Sequence, residues 1–143
     1  SYPLDENNLN ISDILEEEFL VALPEGHPLS QQKEIHIQQL TEEKLLLLEE
    51  GHCLRDQALD VCYQEQDDNF ITVGATSLET LRHMVVAGMG VTLIPKMAAL
   101  PTTGLHYGTL KKKQAQRKIC LVWRKTHPQH DLFQEIVEIF SEI

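Results

Sequence analysis

The chain has 143 residues, 42% of them hydrophobic, enough to bury one ordinary core and to form one compact domain or the greater part of a larger one. It contains no apolar run of bilayer-spanning length, no basic region leading into an apolar signal core and no low-complexity tract, so a soluble globular protein with a cytoplasmic location and no membrane partner is expected. Its 22 acidic and 12 basic residues give a net charge of -10, which opposes direct contact with a phosphate backbone, and three cysteines without CxxC spacing argue against a secreted disulfide scaffold and a structural zinc site.

After a polar start, Phe19 to Leu23 reads as a strand that ends in a turn at Pro24, Gly26 and Pro28. Leu45 to Leu48, closed by Gly51, is an apolar run of strand length, and four consecutive leucines predict a strand covered on both faces. Leu54, Ala58 and Val61 then share a helical face that Arg55, Asp56, Gln57 and Asp60 avoid, predicting a helix from about Cys53 to Glu65 that ends in the polar QEQDDN. Within it Cys53 and Cys62 stand nine positions apart. Nine helical residues advance about 13.5 Å and turn about 900°, placing the two thiols on opposite faces, whereas a disulfide needs Cα atoms within about 7 Å. The pair cannot bond while the helix stands, so a bond between them is either irrelevant or rearranges the fold.

Ile71 to Val73 is a short strand, and Thr76-Ser77-Leu78-Glu79 has capping-box spacing at the start of a second helix. Leu78, Leu81, Val85 and Met89 follow helical spacing up to a break at Gly88 and Gly90. Val91 to Pro95 and Arg117 to Arg124 read as strands. In the second, Ile119, Leu121 and Trp123 alternate toward the core, and Cys120 reads as a buried residue with no redox part. The terminal helix sets Leu132, Phe133, Ile136, Val137 and Phe140 inward, with Asp131 and Gln134 as its cap. Lys111, Lys112, Lys113, Arg117, Lys118, Arg124 and Lys125 read as a solvated loop and strand edge, and the H-x-x-H pair His127 and His130 as a surface pair without companion metal ligands. Alternating strands and helices predict an α/β fold with a mainly parallel sheet.

GHCLRDQALDVC (residues 51–62) and ATSLETLRHMVVAGMGVTLIP (residues 75–95) resemble the regulatory domain of LysR-type transcriptional regulators, and the first stretch is similar to the peroxide-sensing members of that family. The resemblance implies a periplasmic-binding-protein-like effector domain, mainly subdomain two with part of subdomain one. Residues 1–23 would be partial subdomain one, 24–113 subdomain two carrying the redox cysteines, and 114–143 the strand and helix that return to subdomain one. Apolar surface near the chain start and from Leu132 to Ile143 would then be exposed or covered by a partner chain. Members of the family also carry an N-terminal winged helix-turn-helix and a linker helix, which nothing here resembles, so contact with DNA and RNA polymerase is expected only through a full-length protein. In the resembled family, hydroxyl residues that help hold peroxide come partly from subdomain one, so the resemblance implies that some would lie upstream of where this chain begins.

For the site, the resemblance implies that hydrogen peroxide oxidises Cys53 and that Cys62 then closes a reversible disulfide. Peroxide oxidises thiolate rather than thiol, and Cys53 sits after Gly51 at an expected helix N-terminus, with His52 and Arg55 near enough to support a thiolate and Asp56 able to orient them. Cys62 borders the apolar face and reads as shielded when reduced. The implied protein is a signal transducer rather than an enzyme, without catalytic residues, metal or cofactor, acting as a homodimer or homotetramer and reset by a thioredoxin- or glutaredoxin-type reductant. Two alternatives compete: a LysR-type effector domain that binds a small metabolite, and a two-cysteine thiol peroxidase.

Overall fold

The computed structural model of the chain describes residues 6–50, 52–63, 71–111 and 115–141. Gly51, the polar helix end from Gln64 through Glu65, and Lys112 and Lys113 lie outside the described residues. In chain order the elements are β1 (Leu9–Pro24), β2 (Lys44–Leu48), α1 (Cys53–Tyr63), β3 (Ile71–Ala75), α2 (Leu78–Val86), β4 (Thr92–Pro95), β5 (Leu105–Thr109), β6 (Gln116–Arg124) and α3 (His130–Ser141).

β1 begins ten residues before the apolar run that announces it. The acidic triplet Glu16, Glu17 and Glu18 conceals the strand, because only Glu17 turns inward. Its carboxylate is buried and takes a 2.6 Å hydrogen bond from Arg117 Nε, while both neighbouring glutamates face solvent.

The sheet is mixed rather than mainly parallel. β2 pairs with β3 in parallel from Lys44↔Ile71 to Leu48↔Ala75. β1 lies between two antiparallel neighbours, β4 (Phe19↔Pro95 to Ala22↔Thr92) and β5 (Leu20↔Thr109 to Pro24↔Leu105), and β6 also pairs with it. Periodicity reports a strand's faces and not its direction, so the antiparallel placement of β1 was outside its reach.

β2 joins this sheet through the residues just before and within β4: Val91 N–H donates to Lys44 O (2.9 Å), Leu46 N–H to Val91 O (2.8 Å), and Thr92 Oγ1 to Leu46 O (2.6 Å). A Cβ at Gly90 would collide with the Lys44 carbonyl oxygen, so this approach requires glycine. Both faces of β2 are covered. Leu45 and Leu47 enter one core cluster with Ala58, Val61 and Cys62 of α1, while Leu46 and Leu48 enter another with Leu81 and Val85 of α2.

α2 is capped one residue later than the spacing predicted. Ser77, in extended conformation (φ -153°, ψ 161°), accepts the Thr80 N–H at 3.1 Å, which leaves Thr76 outside the cap and Glu79 free to pair with Arg82 and His83. At the other end Gly88 takes φ +70°, with Gly88 N–H donating to Val85 O and Met89 N–H to Met84 O, a Schellman closure. Met89 therefore lies past the helix and is exposed instead of continuing its apolar stripe.

The chain forms two compact units, Ser1–Glu17 with Arg117–Ile143, and Glu18–Gln116. Both core clusters belong to the second. In the first, Trp123 is buried and its ring lies 5.7 Å from that of Phe133, yet α3 contains no fully buried residue. Leu132 and Phe140, predicted to face inward, are exposed together with Ile139, and of the residues predicted inward Phe133, Ile136 and Val137 are half-buried. The helix starts at His130, so Asp131 sits inside its first turn rather than at its cap.

Gly90→Ala should lower stability by at least about 2 kcal/mol in urea unfolding, since backbone must move to admit the methyl group. Gly26→Ala, at φ +79° with open space around it, should cost about 1 kcal/mol from conformation alone. Equal losses would mean that the β2 to β4 approach is not the tight constraint.

Candidate functional site

Cys53 opens α1 and is exposed, whereas Cys62 is 0% exposed in the core, and both thiols are free. On the helix Leu54, Ala58, Val61 and Cys62 fall within an arc of about 100°, so the face that packs on Leu45 and Leu47 takes in Cys62 and turns Cys53 to solvent. Ile37 and Leu40, from the short helical turn before β2, belong to the same core cluster. Burial pushes the Cys62 thiol up from its ordinary 9.0 to about 12, so it is neutral while the helix is docked.

His52, Cys53 and Asp56 are all exposed at the start of α1. The His52 carbonyl accepts the Arg55 N–H at 2.9 Å, and the His52 N–H reaches Glu49 O at 3.4 Å. Arg55 points elsewhere. Its half-buried guanidinium donates through Nη1 to the carbonyl of Leu48 at 2.9 Å, tying the first turn of α1 to the end of β2. Sequence proximity to Cys53 held no signal for that tie, which exists only because α1 folds back along β2. Gln57, also unassigned from sequence, has its side-chain oxygen enclosed without a hydrogen-bond partner among the described residues.

Other residues singled out from the sequence lie apart. Cys120 is half-buried, not buried, and its Sγ donates to Asp13 Oδ1 at 3.1 Å. Lys118 Nζ holds the other Asp13 oxygen at 2.7 Å, and these two hydrogen bonds, Lys118 first, keep the Asp13 carboxyl below its usual range. Arg117 is half-buried against Glu17, so part of the supposedly solvated basic cluster is paired. His130 is half-buried as well, its Nδ1 accepting from Trp123 Nε1 at 2.9 Å, while His127 packs edge-on against Phe133. Among the described residues no group of three His, Cys, Asp or Glu could hold a metal ion, and no helix is long and apolar enough to cross a membrane.

The fold and the sequence together place the chain in a family: residues 1–142 match the LysR substrate binding domain, and the chain belongs to it. Within that family it is similar to OxyR. The hydrogen peroxide-inducible genes activator of Escherichia coli is 40% identical over 128 residues, 87% of this chain and 42% of that protein, so the chain spans less than half the length of this relative. The reduced OxyR regulatory domain of Pseudomonas aeruginosa matches with a TM-score of 0.82 at 29% identity, over 99% of this chain and 70% of that one. An oxidised form of OxyR matches with a TM-score of 0.78 at 34% identity, over 97% and 67%.

The buried Cys62 thiol makes stability depend on pH. The folded state holds this proton more tightly than the unfolded chain, so the contribution is complete below pH 9.0 and is lost as pH rises toward about 12. In reducing buffer the chain should therefore lose up to about 1.4 kcal/mol of stability per pH unit above that point relative to Cys62→Ala, followed by urea unfolding at several pH values. A gap between the two proteins that does not change with pH would mean that the thiol is not desolvated.

Proposed function

We propose that this chain is the hydrogen peroxide-sensing regulatory domain of a LysR-type transcription factor of the OxyR kind. The observation that carries the reading is the pair of thiols at the two ends of one docked helix, Cys53 exposed and Cys62 enclosed. Likeness to a peroxide-inducible activator and to both reduced and oxidised OxyR supports it. On this reading Glu18–Gln116 is subdomain two, and the smaller unit is part of subdomain one.

In the first step a Cys53 thiolate attacks one peroxide oxygen, the O–O bond breaks and hydroxide leaves, giving a sulfenic acid. Residues 54–61 then unwind, the Cys62 sulfur attacks the Cys53 sulfur, the S–S bond forms as S–O breaks, and the oxygen departs as water with the Cys62 proton. A dithiol reductant of the thioredoxin or glutaredoxin type returns both sulfurs to thiols and is itself oxidised to a disulfide. Closing a loop of about ten residues contributes roughly 2.7 kcal/mol through the unfolded state, set against the packing of the α1 face that must be given up, of which Val61 alone is worth about 1.5–3 kcal/mol when fully buried. Terms this close make the exchange reversible, as sensing requires.

The output is a changed surface offered to neighbouring copies of the chain, in a homodimer or homotetramer, and not a released product. DNA and RNA polymerase are engaged through the full-length protein in the cytoplasm.

Stoichiometric peroxide followed by peptide mapping should yield a Cys53–Cys62 disulfide with Cys120 free, and hydrogen exchange across residues 53–63 should rise on oxidation. Pairing through Cys120, or equal protection in the two states, would overturn the proposal.

A further inference from the structure

The carbonyl that receives the Arg55 guanidinium belongs to a fixed part of the fold. Leu48 is buried, pairs in register with Ala75 on β3, and is followed at once by Glu49, whose N–H donates to Ala75 O at 2.9 Å. The guanidinium itself belongs to the part that would move, because residue 55 lies between the two cysteines. Along the connecting backbone, the His52 N–H to Glu49 O contact is long, at 3.4 Å, so among the described residues the 2.9 Å bond from Arg55 Nη1 is the short polar tie between the start of α1 and the end of β2. A charged donor on a backbone carbonyl is also among the stronger hydrogen bonds available.

Resting on the switch proposed above, we infer that Arg55 is a latch: its bond to Leu48 O holds the reduced arrangement of α1 and has to break before Cys62 can reach Cys53. It is a positioning residue that acts through the helix. Its effect falls on the resolving step and on the equilibrium between dithiol and disulfide, and not on the first oxidation of Cys53. A residue that instead supported the Cys53 thiolate would affect the first oxidation and leave resolution unchanged. The two roles are therefore separable in one set of variants.

The test uses the full chain with Arg55→Met and with Arg55→Lys, which keeps a donor but not the guanidinium fork. Sulfenic acid formation is followed by dimedone trapping in a Cys62→Ser background, disulfide closure by quenched mass spectrometry, and the midpoint potential in dithiothreitol buffers. The latch predicts wild-type trapping rates, faster closure in Arg55→Met, and a shift of about tenfold toward the disulfide, which for a two-electron couple is about 30 mV. Arg55→Lys should fall between the two. Reduced Arg55→Met should melt below the reduced wild type, while the oxidised forms melt together, a split that general damage to the core would not produce.

Unchanged closure rates and potentials in both variants, beside a normal wild-type disulfide, would overturn the latch and leave the switch standing. So would slower trapping with unchanged closure. A wild type that forms no Cys53–Cys62 disulfide would overturn the switch reading and the latch with it.

Discussion

The two-faced packing of β2, with α1 docked on one side and α2 on the other, is the constraint on which the larger unit depends. β2 alternates its leucines between two cores, so the strand that supports α1 through Leu45 and Leu47 is the same strand that supports α2 through Leu46 and Leu48. Removing α1 from its place would uncover one face of the central strand while leaving the other, with α2 and β3, intact. A segment attached in this way can change shape without dissolving the unit that carries it.

The same contact couples three properties of one helix. Burial hides Cys62 from solvent, holds its proton, and ties its availability to the undocking of the face it shares with Ala58 and Val61. Cys53, on the opposite face, has none of these restrictions. On the proposed reading, the order of events in a peroxide response would follow from where a helix places two residues nine apart, and would need no difference in their intrinsic chemistry. The polar contacts pull in opposite directions. Arg55 ties the helix to β2, whereas the enclosed Gln57 oxygen subtracts from the docked state.

The smaller unit is of another kind. Its charges are matched across strands, Glu17 with Arg117 and Asp13 with Lys118, and α3 leaves Leu132, Ile139 and Phe140 exposed. A chain with net charge -10 can still hold a tightly paired, half-buried arginine, because net charge says nothing about which residues face each other. The buried Glu17 also explains why β1 looked polar from composition: its one inward carboxylate has its partner a hundred residues away.

The sequence by itself determined the elements whose signals are local. Apolar spacing located α1 and the two-faced β2, the Gly88 break ended α2, and nine residues of helix were enough to separate Cys53 from Cys62. The LysR family and the α/β class were legible from two short stretches around those elements. What depends on distant partners was decided only by the tertiary structure: the antiparallel neighbours of β1, the strand hidden under the glutamates, the choice of Ser77 over Thr76 as cap, the half-buried Cys120 beside Asp13, and the turn of Arg55 away from solvent to Leu48. The reason is physical. Periodicity records which side of a helix or strand avoids water, whereas direction, pairing and hydrogen-bond choice are set by groups that become neighbours only once the chain has closed on itself.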